Sequence, residues 1–380
     1  MIDFDLTAGQ KLVRDNMRKA VQEKVPAEAD LADREPVPRV PPAFLDLIRS
    51  ERLGSLFVPR NVGGMGYDLV TVALILEELA AGCPGLAAMV AAALHAVTPI
   101  LMAGTPEQQQ IFLPRVTESA SGLAGFAVTE PEAGSDVAAI GTIVRHGERG
   151  YFLSGAKCSI FNTHLADFYL VFASLARERG RAGLCALVVP ADAPGLQTGP
   201  PEDKVGLRNA PTARIIFQDV FVPENHLIGE EGAGYLLLMQ TLDWGRAFSS
   251  AVAVGTARAA FETCLAWCRE RRQFGRALIE NQAVSFSLAE MATGIQAARL
   301  LSWKACRLID TGGDYCQAAA MAKLFASTTA EKVTAEAMDL FGRRAYNKNC
   351  RVDKLWRDAK TIATVEGTLN VQRMVIASLL

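Results

Sequence analysis

Residues 122–130 read Gly-Leu-Ala-Gly-Phe-Ala-Val-Thr-Glu, and there the hydrophobic period passes from that of a helix to that of a strand. Upstream, from Thr7 to about Ser119, the apolar residues recur at helical spacing in AGQKLVRDNMRKAVQEKV (8–25), PAFLDLIRSERLG (42–54) and LVTVALILEELAAG (69–82), each closed by Pro or Gly. Downstream, short β-type runs follow: TIVRHGERGYFLSG (142–155), DFYLVFASLA (167–176), GLCALVVPA (183–191) and ARIIFQDVFVP (213–223). The turn His146-Gly147-Glu148-Arg149-Gly150 between two alternating segments predicts a hairpin, and some six strands predict a small barrel or sandwich. After Gly234 the helical period returns. Leu288, Met291, Ile295, Ala298 and Ser302 form one apolar stripe on a helix that Gly312-Gly313 ends, and a second long helix runs from about Tyr315 to Phe341, stopped by Gly342. Two antiparallel helices of about 25 residues, about 38 Å each, make the spine of a bundle. The expected organisation is an α+β multidomain chain: an all-α domain over 1–120, a β-barrel domain over 121–235, and a helical bundle over 236–380.

Composition narrows the function. The 380 residues are 50% hydrophobic, so a large core is affordable, and a net charge of −2 with pI near 6.2 and no basic run excludes a nucleic-acid or polyanion field. The N-terminus carries acids where a secretory leader has basic residues, and no apolar stretch is expected to approach the roughly 18 residues of a membrane span; a cytoplasmic protein with no membrane association is expected. Eight cysteines occur without a CxxC and four histidines without paired spacing, so the thiols are read as core residues and no metal is expected. No Walker A sequence occurs, and GGMGY (63–67) lacks the strand-turn-helix context of a dinucleotide fingerprint.

Two segments carry chemistry. FAVTEPEAGSD (126–136) is a strand running into a turn whose backbone N–H groups and hydroxyls, Thr129 and Ser135, suit a ring edge or a phosphate. RDAKTIATVEGTLNVQR (357–373) holds Glu366, and from Thr361 to Ala377 the only other formal charge is Arg373. A carboxylate so isolated is expected to be desolvated and raised in pKa, as a general base for a weak carbon acid requires.

Four collinear motifs, VTEPEAGSD at Val128, VPENHLIGEEGAGY at Val222, ERRQFG at Glu270 and RDAKTIATVEGT at Arg357, resemble those of the acyl-CoA dehydrogenase flavoproteins over nearly the whole chain. The resemblance implies a helical domain, a β-barrel and a C-terminal four-helix domain, FAD as cofactor, and a homotetramer of dimers that share FAD sites. It implies that Glu366 removes the α-proton of an acyl thioester while the β-hydride passes to the flavin, the backbone N–H of Glu366 helping to bind the thioester oxygen. Phe126, Val128, Thr129 and Ser135 fall at flavin-side positions, Ser135 also beside the ligand's pantetheine. Arg271, Phe274 and Gln282 match residues that hold the FAD pyrophosphate and adenosine across a subunit interface, where a planar Arg fork suits a diphosphate. Gly367, Thr368 and Asn370 match FAD contacts after the base, and Asp243 and Arg246 match substrate positions, Arg246 being read equally well as one half of a salt bridge.

The chain also departs from the family pattern. Ser159-Ile160-Phe161-Asn162 stands where the resemblance implies an aromatic residue and a threonine shielding the flavin, which bears on reoxidation. Phe341-Gly342-Arg343-Arg344-Ala345, preceded by Asp339, replaces a glycine-rich pyrophosphate turn, and Val365 replaces a tyrosine before the base, making the acyl pocket wider or more apolar. Gly85 to Met89 offer no arginine to a distal carboxylate, which would then be buried unpaired at a cost of several kcal/mol. The expectation is an FAD-dependent α,β-dehydrogenase of a short to medium, branched or cyclic, apolar acyl-CoA, passing electrons to an electron-transferring flavoprotein or another acceptor. The alternatives are a biosynthetic dehydrogenase of a thioester on an acyl carrier protein, to whose relatives KVGLRNAPTARIIF and LDWGRA bear a likeness, an oxygen-using flavin oxidase or monooxygenase, and a helical interaction protein without flavin.

Overall fold

The computed structural model describes residues 5–37, 39–119, 121–348 and 350–380. Helix α1 (Ala8–Asp33) opens on a capping box, in which the Thr7 hydroxyl accepts from Gln10 N while the Gln10 side chain accepts from Thr7 N. It is followed by α2 (Pro42–Ser50), α3 (Leu69–Gly82), α4 (Pro84–Ala103), α5 (Pro106–Phe112) and α6 (Pro114–Thr117). The α4 segment corrects the expectation that no stretch reaches spanning length: its 20 residues are long and apolar enough to cross a membrane. Most of α4 is instead buried inside the chain, as a helix hydrophobic on all sides must be when other elements surround it.

The sheet follows, made of β1 (Gly125–Ala127), β2 (Ile143–Gly147), β3 (Gly150–Phe161), β4 (Phe168–Ser174), β5 (Leu184–Pro190), β6 (Leu196–Thr198), β7 (Thr212–Pro223) and β8 (Leu227–Ile228). The order is β6-β7-β3-β2-β4-β5-β8, with β1 pairing parallel to β4 and most other pairs antiparallel. The hairpin forms where the alternation breaks, Gly147 opposite Gly150. Eight strands appear where about six are expected because β6 and β8, which no predicted run covers, are only three and two residues long and have no period to read. The two faces of β4 show why its seven residues are all buried. Tyr169, Val171 and Ala173 join Cys185, Leu187, Ile215 and Val220 in an interior shared with β5 and β7, whereas Phe168, Leu170 and Phe172 pack outward on Val97 and Ile100 of α4.

The C-terminal helices are α7 (Gly234–Glu270), α8 (Gln282–Asp310), α9 (Cys316–Phe341), α10 (Arg351–Ile362) and α11 (Leu369–Ser378), with a two-stranded ribbon, β9 (Arg272–Gln273) and β10 (Arg276–Ala277), after α7. The predicted stripe from Leu288 to Ser302 is buried in α8, and α7, α8, α9 and α10 pack as a bundle with α11 against α9. Two acids that the sequence leaves in the apolar α3 are neutralised from other helices: Glu77 by Arg258 and Arg299, Glu78 by Arg258 and Arg18. Such buried charges persist only when paired and hydrogen-bonded.

Candidate active site

Helices α4 and α7 each turn one stripe toward a shared cleft with the same spacing, Ala88, Ala91, Ala92 and His95 from α4, Gly245, Phe248, Ser249 and Val252 from α7. Phe161 at the end of β3, Leu207, Ile362 at the end of α10, and Val365 and Glu366 after it complete the walls, enclosing about 400 Å³ counted to the open mouth. Small residues on the facing helices leave this room, since Ala and Gly side chains cannot fill the space between two helix backbones.

Glu366 stands in this cleft with its side chain 21% exposed and a backbone φ of 57°, a left-handed conformation rare for a residue with a Cβ. Gly367 continues the turn at φ 82°, and Thr368 then caps α11 by accepting from Val371 N. The turn is tied down by the fully buried Gln372, whose Nε2 donates to the carbonyls of Glu366 at 3.1 Å and Gly367 at 3.0 Å. Two further left-handed residues lie nearby: Leu207 (φ 52°) lines the cleft, held by a bond from its N–H to Asp358 at 2.6 Å, and Ser159 (φ 55°) lies two residues before Phe161. Strain of about 1–3 kcal/mol at each such residue is concentrated where side chains must be aimed.

The isolation of Glu366 in the sequence does not survive folding. His95 Nδ1 lies 3.1 Å from Glu366 Oε1, and Lys323 from α9 and Arg246 from α7 add positive potential. Burial pushes the carboxyl up, but His95 foremost, with Lys323 and Arg246, outweighs it, so the Glu366 pKa lies below the ordinary glutamate value. This corrects the expected upward shift. Lys323 is itself pushed down to about 8, chiefly by burial and against the pull of Glu366; its Nζ donates to Ala363 O at 2.9 Å. Gly245 has to be glycine, because a Cβ there would stand 2.4 Å from His95 Cε1 and 2.7 Å from Glu366 Oε2.

The other predicted residues fall into two groups. Near the cleft, Phe126 stacks on the His95 ring at 4.0 Å, and the Val128 carbonyl accepts from Lys157. Thr129 and Ser135 are exposed on the loop after β1, which Glu130 fixes by accepting from Gly141 N, Thr142 N and Lys157 Nζ. Ser159 is engaged, its N–H and hydroxyl both bonding Glu202. Asp243 and Arg246 form a buried ion pair with each other, the arrangement that the salt-bridge reading of Arg246 describes, yet Arg246 Nε has no partner among the described residues. Asn370 accepts from Arg373.

Far from the cleft, Arg271, Phe274, Gln282, Asp339, Gly342 and Arg343 are exposed at the other end of α7. Trp267 gathers two arms of this end, stacking on Phe341 at 5.2 Å with the guanidinium groups of Arg271 and Arg344 over its ring. Twenty-six residues of chain separate Gly245 from Arg271, about 39 Å along the helix, so one copy of the chain does not bring the two groups together. Sequence reasoning missed His95, Gly245, Leu207 and Gln372. The only available signal was that His95 is the sole ionisable residue of α4.

The chain matches the acyl-CoA dehydrogenase N-terminal domain over residues 7–120, the middle domain over 125–220 and the C-terminal domain over 232–380. It is 37% identical to cyclohex-1-ene-1-carbonyl-CoA dehydrogenase of Syntrophus aciditrophicus over 98% of this chain and 89% of that one. Its fold matches that of butyryl-CoA dehydrogenase from Megasphaera elsdenii with a TM-score of 0.95 at 34% identity, covering 100% and 99% of the two chains. It also matches the prolyl acyl carrier protein oxidase AnaB with a TM-score of 0.93 at 28% identity over 99% of each chain. The chain therefore belongs to the acyl-CoA dehydrogenase family.

Proposed function

We propose that the protein is an FAD-dependent α,β-dehydrogenase of an apolar acyl thioester, with Glu366 as the base that takes the α-proton. The observation that carries this reading is the placement of Glu366: a carboxylate on a strained, tied-down turn, at the wall of a cleft otherwise formed by Ala, Gly, Phe, Leu, Ile and Val with one serine and one histidine. The donor set fits the cofactor. Exposed hydroxyls on Thr129 and Ser135 suit a flavin edge, and the arginines gathered around Trp267 suit a diphosphate. FAD, when bound, supplies the acceptor for the substrate's β-hydride. Because the two donor groups lie at opposite ends of α7, each FAD site requires a second copy of the chain, in keeping with a homotetramer built from dimers. The Glu366 backbone N–H, which no described residue accepts from, is free to donate to the thioester oxygen as negative charge develops there.

The lining favours a short, branched or cyclic acyl group, in keeping with the cyclohex-1-ene-1-carbonyl-CoA and butyryl-CoA dehydrogenases that the chain resembles. Its only group able to carry positive charge is His95, already committed to Glu366, so a substrate with a second, free carboxylate is disfavoured. A second reading, a thioester on an acyl carrier protein, is supported by the likeness to AnaB. We place the enzyme in the cytoplasm, with an electron-transferring flavoprotein as its electron acceptor.

The test is an anaerobic titration of flavin absorbance with a panel of acyl-CoA esters and the same acyl groups on a carrier protein. Bleaching by short or cyclic CoA esters, slowed at least about 1,000-fold in a folded, yellow Glu366→Gln variant, is expected. Bleaching by carrier-bound groups alone would favour the second reading, and bleaching at the wild-type rate in the variant would remove Glu366 as base.

A further inference from the structure

His95 is the one ionisable side chain on α4, its ring is 1% exposed, and every face of it is occupied. Nε2 lies 2.8 Å from the backbone carbonyl of Thr241 on α7, Nδ1 lies 3.1 Å from Glu366 Oε1, and the ring stacks at 22° on Phe126 of β1. A carbonyl only accepts, so Nε2 carries a hydrogen. If His95 were a neutral imidazole with that single hydrogen, its Nδ1 lone pair would face an anionic oxygen at 3.1 Å, two acceptors with nothing between them. The geometry therefore requires a proton in the gap.

We propose that His95 and Glu366 act as a one-proton dyad, in which His95 Nδ1 donates to Oε1, keeping the carboxylate anionic and holding Oε2 over the bare Cα of Gly245. This rests on the reading of Glu366 as the base, and it makes His95 a positioning residue for that base. The charged groups around the pair come from three elements: Asp243 and Arg246 from α7, Lys323 from α9, and Glu366 itself from the turn after α10, while β1 contributes only the Phe126 ring. An acyl chain filling the cleft strips water from the carboxylate and favours its protonated form; a fixed neighbouring cation opposes this and keeps the base available. The α-proton then forms its O–H bond on Oε2 as the α C–H bond breaks, its electron pair staying with the substrate carbon. The resulting carboxylic acid returns that proton to solvent once the product has left the cleft.

Two measurements on the FAD-loaded enzyme decide the matter. With ¹⁵N-labelled imidazoles, only four histidines contribute, His95, His146, His164 and His226. At pH 7.5, both nitrogens of His95 are expected to be protonated, collapsing to the neutral Nε2–H form in Glu366→Gln. A neutral His95 indifferent to that substitution overturns the dyad, and requires no substitution of His95 itself. The second measurement is the pH profile of kcat/KM in His95→Asn, which keeps a donor without a titratable charge. Its acidic limb should move upward by about one pH unit, since removing a cation raises the carboxylate's pKa; an unmoved limb in a folded variant also overturns the proposal. Should no acyl thioester bleach the flavin while the ¹⁵N signals show the pair, the functional reading fails and the dyad stands. A neutral, indifferent imidazole alongside normal bleaching gives the reverse.

Discussion

The two ends of α7 differ in how finished they are. At the Gly245 end, Glu366 is gripped from two sides: His95 meets its Oε1, Gln372 holds its backbone carbonyl, and the wall beside it is a glycine with no space for a side chain. At the Arg271 end, an aromatic residue in a left-handed conformation, Phe274, is 98% exposed, and Arg271 and Arg344 stack on Trp267 with no carboxylate partner among the described residues. On the proposed function, the cleft is complete in one chain because its chemistry needs a desolvated, immobile carboxylate. On the same proposal, the exposed end is half of a cofactor site, because binding a long dinucleotide takes donors spaced farther apart than one cleft provides.

This contrast can be broken from either side. Among changes that leave Glu366 itself in place, the largest expected effect is from Gly245→Ala, whose methyl group would meet His95 and Glu366 within 2.7 Å. Displacing the base by a fraction of an ångström to 1 Å should slow flavin bleaching about 100-fold while FAD affinity is unchanged, as stopped-flow absorbance and equilibrium dialysis would show. Arg271→Ala should do the opposite, weakening FAD binding roughly 10- to 100-fold through loss of one charge-assisted contact while leaving the bleaching rate of the fully loaded enzyme near wild type. If it retains FAD as tightly as wild type, the exposed end is not half of a cofactor site. Gln372→Ala frees the two carbonyls of the Glu366 turn and should cost about 1–3 kcal/mol in thermal unfolding, with a slower bleaching rate because the turn loosens.

The smallest effect is one of pH. Because the folded-state pKa of Glu366 lies below its ordinary value of 4.5, its ionised form contributes stability that is fully present above that value and lost as pH falls through the folded-state pKa. The stability difference between wild type and Glu366→Gln should therefore shrink as pH is lowered from 6 toward 3. A difference that grows on acidification would mean that the carboxyl is raised rather than lowered.

Much of the fold is legible in the chain because its elements carry regular periods. The Leu288 to Ser302 stripe lies buried in α8, and the turn at Gly147 to Gly150 forms the predicted hairpin. The short strands β6 and β8 were not legible, and neither was the fate of α4, whose composition suits a membrane as well as a protein core. For the site, Glu366, Val365 and Phe161 were found from sequence and do line one cleft. Apart from Ala88, which lies in the Gly85 to Met89 stretch, their helical counterparts from α4 and α7 were not, since an alanine or glycine at i, i+3, i+4 and i+7 reads as ordinary helix interior until the facing helix is known.

The sequence by itself determined that this chain alternates helical, strand and helical textures, that its collinear motifs are those of the acyl-CoA dehydrogenases, and that a lone carboxylate sits at Glu366. Only the tertiary structure decided that this carboxylate is not alone. Glu366 and His95 lie 271 positions apart, and local spacing carries no information about charges that meet across such a distance. The pKa of Glu366 is set by those meetings, which is why reading the segment alone gave the opposite sign.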